Sequence, residues 1–579
     1  MQYQLFSPIN HQYSPIEQVL TNRGINIDDI FHYLNLNEDD NLPAENIKNI
    51  NEALALILKH LNNDKKIFVQ VDSDCDGYTS AAVLLNYLHR CFPSIIENKV
   101  IYNFHEEKVH GINVKALPND VSLVIVPDAS SNEYEVHKQL FDKSIDVLVI
   151  DHHHAEKESE YACIINNQLC NYPTKSLSGV GMIYKVCQFM DRMFNYNYAD
   201  DYLDLVSLGL IADLMDQRDF ETSYLTQKGL KQIRNPFIYE MVENNRFSIG
   251  TTITPMGIAF YVAPFVNAIT RVGTLEEKQL LFESMLEWKS YDIIPSTKRG
   301  CKNQTETRVM QSIRTCLNVK NRQEKIAEQN IELIEDFIQK EKLLDFKILI
   351  IKLEQFSINR GLTGLIANKL ANKYHRPTLV LNKCEEDDEI IWSGSARGYN
   401  NSPIKDFRNF VSQFENILFA EGHNNAFGFA IKNKYINDFI NWTEEKLKNI
   451  ELNSDYLVDY IFSSNEVKPD VIKTIGQMKS LWGQNLPEPY VAVEQLVIHK
   501  DNVFLMSRDK KPTLKISLPN GISCIKFKSS EEEFNTLVEN ENTIINLLGT
   551  CNLNDFRGQI NPQIIIQDYE IIGYKKYYF

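Results

Sequence analysis

Three stretches of this chain run from apolar residues straight into acid. IFVQV leads into Asp72-Ser-Asp74-Cys-Asp76-Gly77, SLVIVP into Asp128, and DVLVI into Asp151-His152-His153. Carboxylates are hard oxygen donors and imidazole is a nitrogen donor. That mixture suits Mn²⁺ or Mg²⁺ better than an ion that prefers thiolate. Five carboxylates drawn into one small volume repel one another at neutral pH unless positive charge offsets them. Divalent metal is the simplest offset, and the chemistry it points to is hydrolysis assisted by two metal ions.

For those acids to meet, the three runs must be neighbours in one sheet. Each is short, bulky and largely β-branched, as strands buried on both faces are. Ligands of an open parallel sheet gather outside the carboxyl ends of its strands. SAAVLLNYLHRCF reads as a helix entered through Gly77 and Thr79, and a second helix is expected over about 132–143. The resulting β-α-β-α-β rhythm predicts a parallel sheet with right-handed crossovers. Beyond it, SGVGMIYKVCQFMDRMF and DDYLDLVSLGLIADLMDQRD read as helices, the second carrying Asp213.

A chain of 579 residues is too long for one core. Residues 1–60 read as a polar helical segment and 61–275 as the acid-bearing α/β domain. Residues 276–342 form a very polar helical linker that ends in a long amphipathic helix, NVKNRQEKIAEQNIELIEDFIQKEKL. A second α/β unit spans 343–450, opening with FKILIIKL. From 455 to 579, short runs such as YVAVEQLVI, NVFLMS and PTLKISL are spaced as in a small β-barrel.

Hydrophobic content of 43% and aromatic content of 11% describe an ordinary globular protein. No run approaches the ~18 apolar residues of a membrane span, and MQYQLFSPINHQ lacks a basic region followed by an apolar one. A cytoplasmic location is expected. The ten cysteines contain no C-x-x-C pair, so reduced thiols are expected rather than disulfides or structural zinc. A net charge of −17 argues against coating nucleic acid through the overall field, though not against a locally basic groove.

Each candidate has a plainer reading. D-x-D-x-D-G also opens calcium loops, but those need a distal Glu and flanking helices, whereas here a strand precedes. Asp128 alone would be an ordinary turn acid; its interest lies in ending a strand beside the first. Adjacent imidazoles after a buried strand have no obvious structural use. Asp213, among Leu, Ile, Ala and Gly, would be a buried unpaired charge unless it met a cation.

Together these residues resemble the DHH phosphoesterase superfamily: the acidic loop, the lone strand-end Asp, the Asp-His-His triplet and the later Asp stand in that family's order. Within it the resemblance is to the RecJ group of single-strand-specific 5′-to-3′ exonucleases. It is carried by YPTKSLSGVGMIYKV, LDLVSLGLIADL, FVNAITRVG, RGLTGLIANKLANKYHRPTLVL, SGSARGY, AEGHNNAFGFAI, GQNLPEP and INLLGTCNLNDFRGQINPQIIIQDYE. The fold it implies is a parallel-sheet DHH domain, a long connecting helix, a DHH-associated α/β domain that binds substrate and a C-terminal OB-like domain.

The resemblance implies roles residue by residue. Asp74, Asp76, Asp128, His152 and Asp213 match ligands of a dinuclear Mn²⁺ or Mg²⁺ site, with Asp128 as the bridge and Asp72 as an extra acid. His153 matches a contact to the scissile phosphate. Arg271, Ser395, Arg397 and His423 match phosphate-gripping positions, and Asn267 and Gly422 shape the pocket around them. Some positions depart from the pattern. Gln70 replaces a metal-binding His, His105 and His110 stand where Arg and Tyr approach the 5′-terminal phosphate, and Glu421 replaces a Gly. The insert STKRGCKNQTETR is unfamiliar and reads as a solvated loop or as an arm contacting DNA.

The activity implied is exonucleolytic hydrolysis of single-stranded DNA from the 5′ end in recombination and repair, with a single-strand-binding protein and a helicase as partners. A phosphodiesterase for short oligonucleotides or cyclic dinucleotides shares the metal site but has no use for an OB-like module. A silent scaffold on the same fold would be expected to have lost acidic ligands, and all five core ligands stand here.

Overall fold

A computed structural model of the chain describes residues 1–301, 303–354, 357–386, 389–399, 402–452, 455–464, 466–507, 512–556 and 558–575. Contacts divide it into two units, Asn37–Asn453 and a second made of Met1–Leu36 with Ser454–Phe579.

The larger unit begins with a sheet of five parallel strands in the order Val100–Phe104, Lys66–Val71, Val121–Pro127, Asp146–Asp151, Cys163–Asn166. All seven residues of Val121–Pro127 are buried, as a strand covered on both faces requires. On one face Val124, Val126, Val147 and Val149 pack with Leu140 of the helix Tyr134–Asp142. The helices Cys75–Cys91 and Gly179–Phe194 also pack against the strands. The chain leaves Lys66–Val71 toward one side and returns to build the other. The switch point of the topology therefore lies between that strand and Val121–Pro127, where a ligand crevice is expected. Asp72 and Asp128 are the residues that follow those two strands.

The helix Arg308–Lys340, 33 residues long, buries Val309, Ile313, Cys316, Val319, Ala327, Ile334 and Ile338. It packs first on Ala263–Val272 and Leu275–Met285, then on Arg360–Tyr374, joining the two α/β parts of this unit. Residues 276–342 are not helical throughout. Ile293–Pro295 pairs antiparallel with Thr305–Thr307, and the unfamiliar insert is the turn of that hairpin. Arg314 grips Glu306 with both terminal nitrogens, at 2.5 and 2.7 Å, and anchors it to the long helix.

The second sheet is ordered Ile417–His423, Ala426–Lys432, Glu389–Arg397, Thr378–Glu386, Leu349–Leu353, and only its last pair is parallel. Phe407, Phe427, Phe429, Phe439 and Trp392 fill one side and Ile351, Ile366 and Leu370 the other.

In the smaller unit, seven strands order as Tyr460–Ser463, Tyr490–His499, Asn542–Phe556, Gln559–Tyr574, Ser523–Phe527, Thr513–Ser517, Val503–Met506. Register shifts interrupt the longest pairings, as in sheets that curl. The first sixty residues are not one segment. Tyr3–Leu5 pairs parallel with Tyr456–Val458, and Arg23 holds Asp459 through two bonds of 2.9 Å, whereas the helix Ile50–Leu61 packs on Cys163–Asn166. All ten cysteines are free, and among the described residues no helix is long and apolar enough to cross a membrane.

The side chains of Arg23 and Asp459 are 5% and 0% exposed, so removing one partner strands a buried charge. Arg23→Ala is expected to destabilise the smaller unit by about 3 kcal/mol. Guanidinium unfolding checks this; a change below about 1 kcal/mol would mean that the pair contributes no more than a surface one.

Candidate metal centre

Local rules place each acid. Asp74 is the N-cap of Cys75–Cys91 and accepts from the Gly77 N–H at 3.0 Å. A Cβ on Gly77 would stand 2.6 Å from the Cβ of Asp72, so the loop folds this tightly only with glycine there. Asp76, one turn in, accepts from Ser178 Oγ at 2.8 Å and from the Val180 N–H at 3.3 Å. Asp128 has a left-handed backbone, φ 68°, tied by its N–H to the Ile150 carbonyl at 2.7 Å. Asp213 is not inside a helix as expected but caps the C-terminus of Leu203–Ala212. Leu214 at φ 58° turns the chain away there and leaves the carboxylate at the helix end.

These groups converge. His152 Nε2 lies 3.3 Å from Asp128 Oδ1 and 3.2 Å from Asp213 Oδ2. Three overlapping sets each bring donor atoms within 4.8 Å of one another: Asp72, Asp74 and Asp128; Asp76, His152 and Asp213; and Asp128 with Asp151, His152 and His153. Among the described residues Asp72 Oδ1, Asp76 Oδ2, Asp128 Oδ1, Asp213 Oδ2 and His152 Nε2 are all buried with no hydrogen-bond partner. Buried polar atoms rarely go unsatisfied, and these five aim at common space. Two glycines keep that space open: a Cβ on Gly179 would stand 2.4 Å from Asp128 Oδ1, and one on Gly209 2.4 Å from Asp76 Oδ1. The donor set fits two divalent cations that share Asp128 and His152.

The electrostatics agree. Burial, then repulsion from neighbouring carboxylates, raises Asp74, lifts Asp76 to about 7 and pushes Asp128 well above the usual carboxylate range. Burial lowers His152 to about 4, which keeps it neutral as a ligand must be. Asp151, a strand-end acid that no role had been given, orients its neighbour. It accepts from His153 Nδ1 at 2.7 Å and from the N–H groups of His152 and His153. Against a downward push from burial, that bond raises His153 to about 10. The only hint in the sequence was its place before two histidines.

A second wall faces the acids. Ala263–Val272 contributes Asn267, whose Oδ1 accepts from the Cys75 N–H at 3.2 Å, and Arg271, whose buried Nε has no partner. Arg397 and His423 both pair in register with Ala426, so they end adjacent rows of the second sheet. His423 Nε2 reaches to 3.5 Å from Asp213 Oδ1. Burial, then repulsion from Arg271, lowers Arg397 to about 10. Ser395 shares a 2.9 Å bond with Thr363, and Gly422, at φ 132°, approaches the Ala426 carbonyl too closely for a side chain.

The departures have structural roles. The buried Gln70 spends its amide on backbone, accepting from the Asn113 N–H at 3.1 Å and donating to the Asn103 carbonyl at 3.3 Å. His105 is 8% exposed, and its Nε2 meets the Gly111 carbonyl at 2.9 Å. It closes the 105–113 loop on itself. His110 Nδ1 lies 2.6 Å from Asp72 Oδ2 and is raised by that carboxylate. Glu421 is exposed.

Comparison with known proteins places this arrangement. Residues 66–210 match the DHH family N-terminal domain and residues 458–568 the RecJ OB domain. An SPbeta prophage-derived protein of Bacillus subtilis (strain 168), YorK, provisionally named a single-strand DNA-specific exonuclease, is 36% identical over 100% of this chain and 99% of its own. The single-stranded-DNA-specific exonuclease RecJ of Haemophilus influenzae is 25% identical over 90% and 91%. The crystal structure of RecJ in complex with Mn²⁺ from Thermus thermophilus superposes with a TM-score of 0.68 at 16% identity, covering 98% of this chain and 79% of that one.

A carboxyl whose pKa rises on folding contributes stability that is complete below its unfolded value and is lost as pH climbs through the folded one. Metal-free protein should therefore lose the contribution of Asp76 between about pH 4 and about 7. Asp128→Asn should be more stable than the parent in chelator at pH 8, with the gap closing at low pH. Denaturant melts at several pH values check this; a variant less stable at pH 8 contradicts it. Gly179→Ala should weaken Mn²⁺ binding at least ~10-fold in calorimetry without unfolding the chain, and unchanged affinity would show that the cradle is not needed.

Proposed function

The chain belongs to the RecJ family of DHH-domain proteins, and on that footing we propose that it is a metal-dependent exonuclease. It hydrolyses single-stranded DNA from the 5′ end, with two Mn²⁺ or Mg²⁺ ions, in recombination and repair. The observation that carries this reading is the pairing of opposites across one cleft: buried carboxylate oxygens without partners face a guanidinium without one. Metals answer the first set and a phosphodiester answers the second. The strand direction and the biological setting rest on the family resemblance, and a single-strand-binding protein and a helicase are the partners it implies.

Asp72, Asp74, Asp76, Asp128, His152 and Asp213 would hold the ions. Bound there, a divalent pair lowers the pKa of water and draws charge from the reacting phosphate. The chain's own residues do the rest. Asp151 holds His153 protonated, so that it donates to a phosphate oxygen. Arg271 and Arg397 neutralise charge growing on the phosphorus oxygens in an enclosed site where such contacts count most. Asn267 fixes the first turn of the helix that carries Asp76. Attack on phosphorus from the side opposite O3′ breaks the P–O3′ bond, and the departing oxygen takes up a proton.

Holding a flexible strand needs more surface than a metal site offers. On the C-terminal sheet, Phe504 pairs with Lys515 and Met506 with Thr513, which pairs in turn with Phe527. Phe504, Met506 and Phe527 are all exposed on that one face. Aromatic side chains beside a cation suit stacking of successive bases. The same face separates this reading from a phosphodiesterase for very short oligonucleotides.

A 20-nucleotide strand labelled at one end or the other, digested with Mn²⁺, is expected to yield mononucleotides from the 5′ end and nothing in chelator. Asp128→Ala should reduce cleavage to the chelated background with the fold intact. Long products, attack only from the 3′ end, or an active Asp128→Ala chain would contradict the assignment.

A further inference from the structure

Beside the metal centre lies a second charged space that no role above uses. A cavity of about 370 Å³ is lined by Lys108 of the 105–113 loop, Arg271, Arg360 at the start of Arg360–Tyr374, and Lys383 of Thr378–Glu386. Glu106 and Glu107 also reach its wall, so the four cations exceed the acids by two. Its lining omits Ser395, Arg397, His423 and every acid of the metal centre. Arg271 alone belongs to both places, because the charge of Asp74 also acts on it.

The cavity is built rather than incidental. Asn382, 6% exposed, accepts from the Ile358 N–H at 2.9 Å and donates to the Ile358 carbonyl at 2.7 Å. That double bond pins the segment leading to Arg360. The next residue, Gly361, packs so closely on Arg271 that a Cβ there would stand 2.6 Å from the Arg271 carbonyl. Among the described residues Lys108, Arg360 and Lys383 have no carboxylate partner, and the buried Nε of Arg271 has no partner of any kind. Partial burial and repulsion from Arg271 and Arg397 lower Lys108 to about 8. Cations that converge without counter-charge mirror the acids next door and call for an anion.

We propose that this cavity is a second phosphate subsite, in which Lys108, Arg360 and Lys383 hold a non-scissile phosphate of the strand while Arg271 spans it and the metal centre. The proposal rests on the phosphodiesterase reading above for its substrate, and its ligand chemistry is a phosphate monoester or diester. The phosphate comes either from the strand's 5′ end or from the next backbone linkage.

The test compares the parent with the double variant Arg360→Ala/Lys383→Ala, two exposed positions outside the metal centre. Substrates are a 5′-phosphorylated strand, the same strand with a 5′-hydroxyl, and the p-nitrophenyl ester of thymidine 5′-monophosphate, which has one phosphodiester and no second phosphate. KM for strands should rise about tenfold or more, with kcat and turnover of the small ester unchanged. A rise confined to the 5′-phosphorylated strand assigns the terminal phosphate; an equal rise for both strands assigns the backbone one. Unchanged KM, or equal losses on strands and small ester, overturns the subsite. If the parent cleaves none of these esters with Mn²⁺, the phosphodiesterase reading fails by itself. Calorimetry with pyrophosphate then decides separately: binding at least about tenfold weaker in the variant supports the subsite, and equal or absent binding to the parent refutes it.

Discussion

Repulsion between like charges is the constraint around which the larger unit is arranged. Asp72, Asp76 and Asp128 are each 1% exposed, and Asp74 and Asp213 reach the same space. No main-chain pattern gathers carboxylates at random. The first strand and the third flank the switch point of a parallel sheet, so the residues after them must share its crevice. Helix N-capping adds Asp74, and the C-terminus of Leu203–Ala212 adds Asp213. Glycines at 179 and 209 keep the crevice from filling. Apart from a cation, protons are the only relief left to these acids, which is why Asp76 and Asp128 are displaced upward.

The second α/β part of the unit answers with the opposite sign. Arg397 and His423 end its strands at the cleft, and Arg271 comes from the helix between the two parts. The long helix Arg308–Lys340 touches both parts and fixes their spacing. A cleft with acids on one wall and cations on the other has a place for metal and for phosphate, and neither wall has both. The 105–113 loop, held by Gln70 and by the His105–Gly111 contact, lies where the two walls meet.

Much of this was legible in the residues. Bulky buried runs ending in acid marked three strands and their order of function, because a parallel strand buried on both faces leaves its chemistry only at its end. Asp213 stood out as a charge among apolar neighbours, but its position at a helix terminus did not. LIADLMDQ continues the helical pattern, and the turn is made by Leu214 rather than by a glycine that would have signalled it. The hairpin within the polar linker was hidden because its strands are three residues each and depend on an arginine from the following helix. The division of the first sixty residues left no local trace either: the partner of Tyr3–Leu5 lies more than four hundred residues away in sequence. His105, read as a substrate contact, is drawn inward by a carbonyl that no spacing reveals.

If cations replace protons in the acid cluster, binding must expel those protons. Calorimetric titration of the metal-free protein with Mn²⁺ near pH 6, repeated in buffers of different ionisation enthalpy, counts them. The account predicts two ions bound with net proton release that fades toward pH 9, as Asp76 and Asp128 ionise unaided. Binding without proton release near pH 6, or no binding to the folded chain, would contradict it.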